Sequence, residues 1–226
     1  ASYATLSFAE GKWVNLLEDG MSAFQDSRGW QTGDEVVVDP GNEKLLKVSK
    51  DGESIAVVTT KSRAAYILSK ELHGDIEAEI EFMVPKGSNS GIYFMGRYEI
   101  QILDSFGKAT VKHGDCGGIY QRWGKNKDAG QPPKVNASTA PGTLQTFEVI
   151  FRAPRFDANG KKTENAKFVK VVHNGKLIHE NAEVTGPTRA AMKENAPEEA
   201  KGPIRIQGDH GPVAFRTIRI KHVERE

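Results

Sequence analysis

The sequence predicts an all-β fold, a sandwich of two antiparallel sheets with at most one or two short helices. Turn signals recur along the 226 residues, strong helical periodicity is scarce, and several segments alternate polar and apolar residues. About a dozen short strands separated by turns are typical of two packed sheets. Because no linker divides the chain, we expect residues 1–226 to form a single domain.

The clearest predicted strand runs from Asp75 to Val84. Its apolar residues fall on one face, while Glu77, Glu79 and Glu81 fall on the other. A half-buried strand with a solvated acidic face produces this pattern.

Local signals predict the turns between other elements. Asn174-Gly175 is the strongest hairpin signal in the chain. Asp51-Gly52 predicts a second hairpin, between strands at Leu45–Val48 and Ser54–Thr59. The segment Thr188–Ala200 is predicted to hold one short helix.

Composition argues against two classes of partner. The net charge is +1 and both signs are mixed along the chain, so no basic field attracts nucleic acid. No apolar run approaches the roughly 20 residues that a membrane span needs, so we expect no membrane partner. The sequence does not indicate an oligomeric state.

The chain offers two weak signals about its compartment. Cys116 is the single cysteine, so no intrachain disulfide forms. The chain begins with Ala1 rather than Met, which a removed export signal or a trimmed terminus would each explain. We expect a secreted or periplasmic protein.

A predicted strand from Arg97 to Asp104 carries the most informative polar residues. On a strand, Arg97, Glu99 and Gln101 share one face, opposite an apolar face that packs on the core. Asp104 follows where the strand ends. An ordinary solvated face is the alternative, but a cation, a carboxylate and an amide in a row favour ligand recognition.

A second polar cluster follows the predicted strand Ile204–Gln207. Gln207, Asp209 and His210 lie just before Gly211. Histidine is the usual proton shuttle near neutral pH, and neighbouring carboxylates can orient it or join it as metal ligands. The alternative is that His210 stabilises a turn.

Three further residues are candidates for binding a carbohydrate. Asn89 is a turn residue by type, yet its amide suits sugar hydroxyls. Tyr120 and Trp123 could belong to the core, but they occur in a polar loop, where exposed aromatic rings stack on sugars.

Several motifs together resemble the 3-keto-disaccharide hydrolase family, over nearly the whole chain from Trp13 to Val223. The motifs are Asn89-Ser-Gly-Ile-Tyr93, Tyr98-Glu-Ile-Gln-Ile-Leu-Asp104, Gly118-Ile-Tyr120, Gly202-Pro-Ile-Arg-Ile-Gln-Gly-Asp-His-Gly211 and Phe215-Arg-Thr-Ile218. The resemblance implies a concanavalin-like jelly roll with its site on the concave face. It also implies 3-keto-glycosides as substrates, cleaved by hydrolysis or by elimination.

Carried across by motif, the resemblance implies a set of site residues. They are Asn89, Glu99, Gln101, Asp104, Tyr120, Gln207 and His210. Some family members use a divalent metal, for which Glu99, Asp104 and His210 are the candidate ligands here; no cofactor is certain. The Lys-rich loop Lys108–Lys134 departs from the family pattern.

The sequence supports one mechanistic hypothesis. A ketone at C3 of a sugar makes the C2 proton acidic, so a base can remove it and the C1 substituent can leave. His210 is assigned as the base, with Glu99 and Asp104 as acid or metal ligands. Arg97 stabilises the enolate, and the side-chain amides, with Asp209 beside them, hold the substrate.

Two alternatives remain at this stage. A glycosidase with two carboxylates would use Glu99 and Asp104 as its pair. A non-catalytic carbohydrate-binding module would need aromatic platforms but neither His210 nor Asp104, and the same sandwich serves both roles.

Overall fold

The computed structural model describes residues 11–60, 64–122, 130–193 and 195–223. Within these ranges the regular structure is entirely β, which confirms the predicted all-β class. The strands are β1 Val14–Asn15, β2 Phe24–Gln25, β3 Gln31–Asp39, β4 Asn42–Val58, β5 Ile67–Ser69, β6 Ile76–Met83, β7 Asn89–Phe94, β8 Tyr98–Leu103, β9 Gln145–Arg152, β10 Arg155–Phe156, β11 Lys162–Glu164, β12 Ala166–His173, β13 Lys176–Val184, β14 Arg205–Ile206 and β15 Val213–His222.

Two antiparallel sheets form a jelly-roll sandwich. The eight-stranded sheet has the order β13-β12-β9-β6-β15-β4-β3, and β1 pairs with β15. The five-stranded sheet has the order β2-β5-β14-β7-β8, while β10 and β11 form a separate ribbon. Strands adjacent in one sheet are therefore often distant in sequence, as β14 and β7 are.

Aromatic side chains fill the centre of the sandwich. The ring of Phe151 lies 5.2 Å from that of Phe94, 5.1 Å from Phe168 and 5.7 Å from Tyr98, measured between centroids. Phe94 and Tyr98 belong to the five-stranded sheet and the other two to the eight-stranded sheet. This cluster holds the two layers together through apolar burial and ring contacts.

The predicted acidic strand is confirmed as β6, and its exposed glutamates are paired. Glu81 accepts from Arg216 at 2.6 Å and Glu77 lies 2.8 Å from Lys221, while Glu79 binds Arg219. These pairs run across the outer face of the large sheet, where each contributes little to stability.

The hairpin at Asn174-Gly175 is confirmed. Both residues have positive φ, 48° and 75°, as the tight turn between β12 and β13 requires. A similar turn at Met95-Gly96, with φ of 56° and 66°, joins β7 to β8 and so fixes their register.

The hairpin predicted at Asp51-Gly52 is wrong. β4 continues through both residues, and its turn to β3 lies at Pro40-Gly41 instead. The register shift after Gly33 absorbs the irregularity, and the Asp34 carboxylate binds the hydroxyl of Ser54 at 2.8 Å. Asp51 and Gly52 therefore lie in an irregular, bulged part of β4 and not in a hairpin turn.

The short helix predicted within Thr188–Ala200 is also wrong for the residues described there, which form turns and irregular structure. Ala190 and Lys193 have positive φ, 60° and 47°, which is incompatible with a right-handed helix. The segment instead packs against the β7–β8 turn, where the Met192 amide donates to the Gly96 carbonyl at 2.8 Å.

The aromatic cluster yields a test of the packing. Phe151→Ala should lower the free energy of unfolding by about 3–5 kcal/mol, because the side chain is 1% exposed and the cavity is lined by rigid rings. Urea unfolding measures the change. The matched control is Phe106→Ala, at a ring that is 56% exposed. Equal losses in the two variants would contradict this account of the core.

Candidate active site

The five-stranded sheet presents two chemically different faces. Ile67, Ile92, Ile100 and Ile206 point into the core and are at most 1% exposed. Directly opposed residues point to the same side of a sheet, and the register pairs Tyr93 with Glu99 and Arg205, and Gly91 with Gln101. We call the opposite face the polar face; it comprises Tyr66, Asn89, Gly91, Tyr93, Glu99, Gln101, Arg205 and Gln207.

Glu99 lies on β8, the last strand in the order of the five-stranded sheet. It is 3% exposed, and burial raises the pKa of its carboxyl to about 8. The hydroxyl of Tyr93 and the charges of Arg205 and Arg189 act in the opposite direction but do not cancel the effect. Glu99 is therefore largely protonated at neutral pH and can donate a proton.

The position of the Glu99 carboxyl depends on Gly91. A Cβ on residue 91 would lie well inside van der Waals distance of Glu99 Oε1, so the carboxyl occupies space that any other residue would fill. The Gln101 amide completes the site. When the Gln101 side-chain nitrogen is oriented toward Glu99, it donates to Glu99 Oε1 at 2.9 Å and to the Ser90 carbonyl at 3.1 Å.

Arg205 places a cation over this face. Its guanidinium carbon lies 3.9 Å from the centroid of the Tyr66 ring and 4.9 Å from that of Tyr93. A bond of 2.6 Å to the Ala190 carbonyl fixes its orientation. Burial raises the pKa of both tyrosines, so their hydroxyls remain protonated donors.

A chain of polar contacts extends from Tyr66 to His210. The Gln207 amide donates to the Tyr66 hydroxyl at 2.9 Å, and Asp209 acts electrostatically on that hydroxyl. His210 Nδ1 lies 2.6 Å from Asp209 Oδ1. The carboxylate thus orients the ring, and His210 Nε2 faces away from that contact with the side chain half exposed.

Asn89 and Tyr120 lie beside Glu99 and Gln101. In the orientation of Gln101 that places its nitrogen toward Glu99, its side-chain oxygen lies 3.2 Å from the end of the Asn89 side chain. Ile119 bridges to Ile100, and the Tyr120 amide donates to the Glu99 carbonyl at 3.2 Å, which places Tyr120 at the edge of the polar face. Trp123 lies outside the described residues.

Arg97 does not share the face of Glu99, contrary to the sequence prediction. It belongs to the turn that precedes β8, and it is 4% exposed. Its guanidinium donates to the carbonyls of Ala196 and Pro197 at 3.2 and 2.8 Å. These bonds hold the guanidinium against the loop, so Arg97 anchors that loop, and Arg205 supplies the cation of the polar face.

Asp104 also separates from the predicted cluster. Its carboxylate accepts from the amides of Gly87 and Phe106 at 2.9 and 3.3 Å and lines a shallow depression with Lys86. Five residue steps along an extended strand separate its Cα from that of Glu99 by about 16 Å. The predicted convergence of Asp104 with Glu99 is therefore wrong.

The metal site expected from Glu99, Asp104 and His210 does not fit this arrangement. In the described ranges, the group of three ligand-type side chains whose donor atoms lie within 4.8 Å of one another is elsewhere, at Glu71, His73 and His222. Asp104 is committed to its turn.

Sequence reasoning missed four residues of the polar face: Tyr66, Gly91, Tyr93 and Arg205. The signal was present in the period-two pattern of Asn89, Gly91 and Tyr93, and again in Arg205 and Gln207. Tyr66 had no such signal, because its place depends on the pairing of β5 with β14.

The sheet order defines a jelly-roll protein, and the polar face with its buried acid is its candidate site. The family model described as "3-keto-alpha-glucoside-1,2-lyase-like domain" matches residues 12–221. The chain belongs to this family, which confirms the resemblance and makes the protein a carbohydrate-active enzyme.

Solved structures share the fold. One crystal structure from Parabacteroides distasonis, titled "a putative glycosyl hydrolase", has a TM-score of 0.68 and 24% identity, over 93% of this chain and 84% of that one. A second from the same organism, with the same description, has a TM-score of 0.61 and 19% identity, over 94% and 100% of the chains. No curated protein matches.

The part of the chain that the structure describes contains no helix long and apolar enough to cross a membrane.

Burial of Glu99 predicts a pH dependence of stability. Between its usual 4.5 and the folded value of about 8, the folded protein keeps a proton that the unfolded chain has lost. Stability from this group is full below pH 4.5 and declines through that interval. Glu99→Gln removes the effect, so its stability relative to wild type should rise by roughly 1.4 kcal/mol per pH unit.

Urea unfolding from pH 4.5 to 8 measures this difference. Glu148→Gln, at an exposed position on the large sheet, is the matched control and should show no such slope. A flat difference between wild type and Glu99→Gln would mean that the carboxyl is ionised throughout the interval.

Proposed function

We propose that this protein cleaves 3-keto-glycosides on the polar face, with Glu99 as the proton donor. The feature that carries the proposal is the buried carboxyl of Glu99, whose pKa burial raises to about 8, on a face that also presents a guanidinium, tyrosine hydroxyls and side-chain amides. The family description supports the substrate class.

The chemistry needs three groups. A base removes the proton at C2, a cation or hydrogen-bond donor stabilises the enolate oxygen at C3, and an acid protonates the departing oxygen at C1. The C2–H and C1–O bonds break, and a C1–C2 double bond forms. Addition of water to that double bond then gives the free keto sugar, so elimination and net hydrolysis share their first step.

His210 is the proposed base. Because Asp209 holds Nδ1 and its hydrogen, the lone pair of the neutral ring is on Nε2. Half of the side chain is exposed, so a substrate on the polar face can reach it. The C2 proton moves to His210 Nε2 in this scheme.

Arg205 and Tyr66 are the proposed enolate site. The guanidinium is fixed by the Ala190 carbonyl and lies above the Tyr66 ring, and the Tyr66 hydroxyl is a protonated donor. Such preorganised donors stabilise developing negative charge without reorganisation. Gln207, Gln101 and Asn89 supply amides for the remaining sugar hydroxyls.

Glu99 is the proposed acid for the leaving oxygen. A proton donor with a pKa near the working pH transfers its proton efficiently, and about 8 meets that condition. The two-carboxylate glycosidase is disfavoured, because Asp104 is bound to two backbone amides and cannot come within the separation of about 5–9.5 Å that such pairs require.

The proposal is tested with alkyl and nitrophenyl 3-keto-glucosides. Glu99→Gln should lower kcat on the alkyl substrate by about 100-fold or more with little change in KM. The loss should be smaller on the nitrophenyl substrate, since nitrophenolate leaves without a proton. His210→Ala should lower kcat on both substrates alike.

Glu148→Gln serves as the surface control and should retain wild-type rates. Undiminished turnover by Glu99→Gln would remove it as the acid. Equal turnover of unoxidised glucosides would indicate an ordinary glycosidase, and binding without product release would indicate a sugar-binding module.

A further inference from the structure

Glu71, His73 and His222 converge on one point away from the polar face. His73 Nδ1 lies 3.4 Å from His222 Nε2, and His222 Nε2 lies 3.2 Å from Glu71 Oε1. All three ligand atoms lie within 4.8 Å of one another. Ligands of a tetrahedral metal at 2.0–2.2 Å are about 3.3–3.6 Å apart, so two of the three separations are already close to that range.

The hydrogen bonds of Ser69 determine the tautomer of His73. The Ser69 hydroxyl donates its one hydrogen to the Glu71 carbonyl at 2.7 Å and accepts from the Ile204 amide at 2.9 Å. His73 Nε2, at 3.2 Å from that oxygen, must therefore carry the ring hydrogen and donate it. The lone pair of His73 lies on Nδ1, directed at His222 Nε2.

At most one hydrogen lies between the three ligand atoms of this cluster. His73 Nδ1 and the Glu71 carboxylate are acceptors, and a neutral His222 has at most one hydrogen on Nε2 to share between them. With that hydrogen on His222 Nδ1 instead, three lone pairs face one another. A metal-binding histidine commonly donates its second ring N–H to a fixed oxygen, as His73 does to Ser69.

We propose that Glu71, His73 and His222 bind a divalent transition-metal ion of the zinc type. Two imidazoles and one carboxylate suit zinc and its neighbours better than magnesium or calcium, which prefer oxygen ligands. The exposed side of Glu71 leaves room for water as the fourth ligand. Lys201 acts electrostatically on His73, and the Glu71 carboxylate offsets its charge.

The site would connect the end of β15 to the segment between β5 and β6. His73 lies in the connection from β5 of the small sheet to β6 of the large sheet and forms a bridge with Gly202. His222 is the last residue of β15 in the large sheet. A bound metal would therefore clamp the end of β15 to this connection, away from the polar face.

The test uses the whole chain, stripped with chelator and titrated with ZnCl₂. Calorimetry should show one site in wild type, and zinc should raise the Tm. His222→Gln should lose the site and the rise in Tm, and Glu71→Gln should bind at least tenfold more weakly. Both positions are at least partly exposed, so the metal-free variants should fold, which their Tm without zinc verifies.

His210→Gln is the matched control, because it removes an exposed histidine from the polar face. It should bind zinc as wild type does. Absence of binding by wild type at submillimolar zinc would overturn the proposal, as would unchanged binding by His222→Gln. Loss of binding in His210→Gln alone would place the metal on the polar face instead.

Discussion

The burial of one carboxyl group, that of Glu99, is the constraint around which the polar face is arranged. Removing a carboxylate from water is costly, and the group responds by holding its proton to a pKa of about 8. That response requires the β7–β8 register, which sets Gly91 and Tyr93 beside it, and a bare backbone at Gly91 to make the space. A small change in either strand would return the carboxyl to solvent or eject it.

The same alternation that builds the core also builds the site. Ile92 and Ile100 anchor β7 and β8 in the sandwich, so Tyr93 and Glu99 must point the other way. Because burial of the isoleucines fixes the strand register, it also fixes which side chains lie on the polar face. Loops supply the remaining groups: His210 and Asp209 follow β14, and Tyr120 lies beside β8. Loops of this kind can change in sequence without disturbing the sheet.

Sequence reasoning reached the fold and four of the eight residues of the polar face, Asn89, Glu99, Gln101 and Gln207. The polar–apolar alternation of β6 and the Asn174-Gly175 turn are local signals, and each was sufficient to predict its element. The bulge at Gly52 and the anchoring of Arg97 depend on partners distant in the chain, so neither was visible. The prediction that Asp104 converges with Glu99 was wrong because backbone amides bind the Asp104 carboxylate at the strand end. The raised pKa of Glu99 arises from burial between paired strands, which no local pattern reports.

The most direct test is a titration of the Glu99 side-chain carboxyl by ¹³C NMR, with Glu99→Gln used to assign its resonance. The account predicts a midpoint near pH 8, well above the usual 4.5. It further predicts that Gly91→Ala moves this midpoint, because the added methyl displaces the carboxyl. A Glu99 carboxyl that titrates near pH 4.5 in the folded protein would contradict its role as the proton donor.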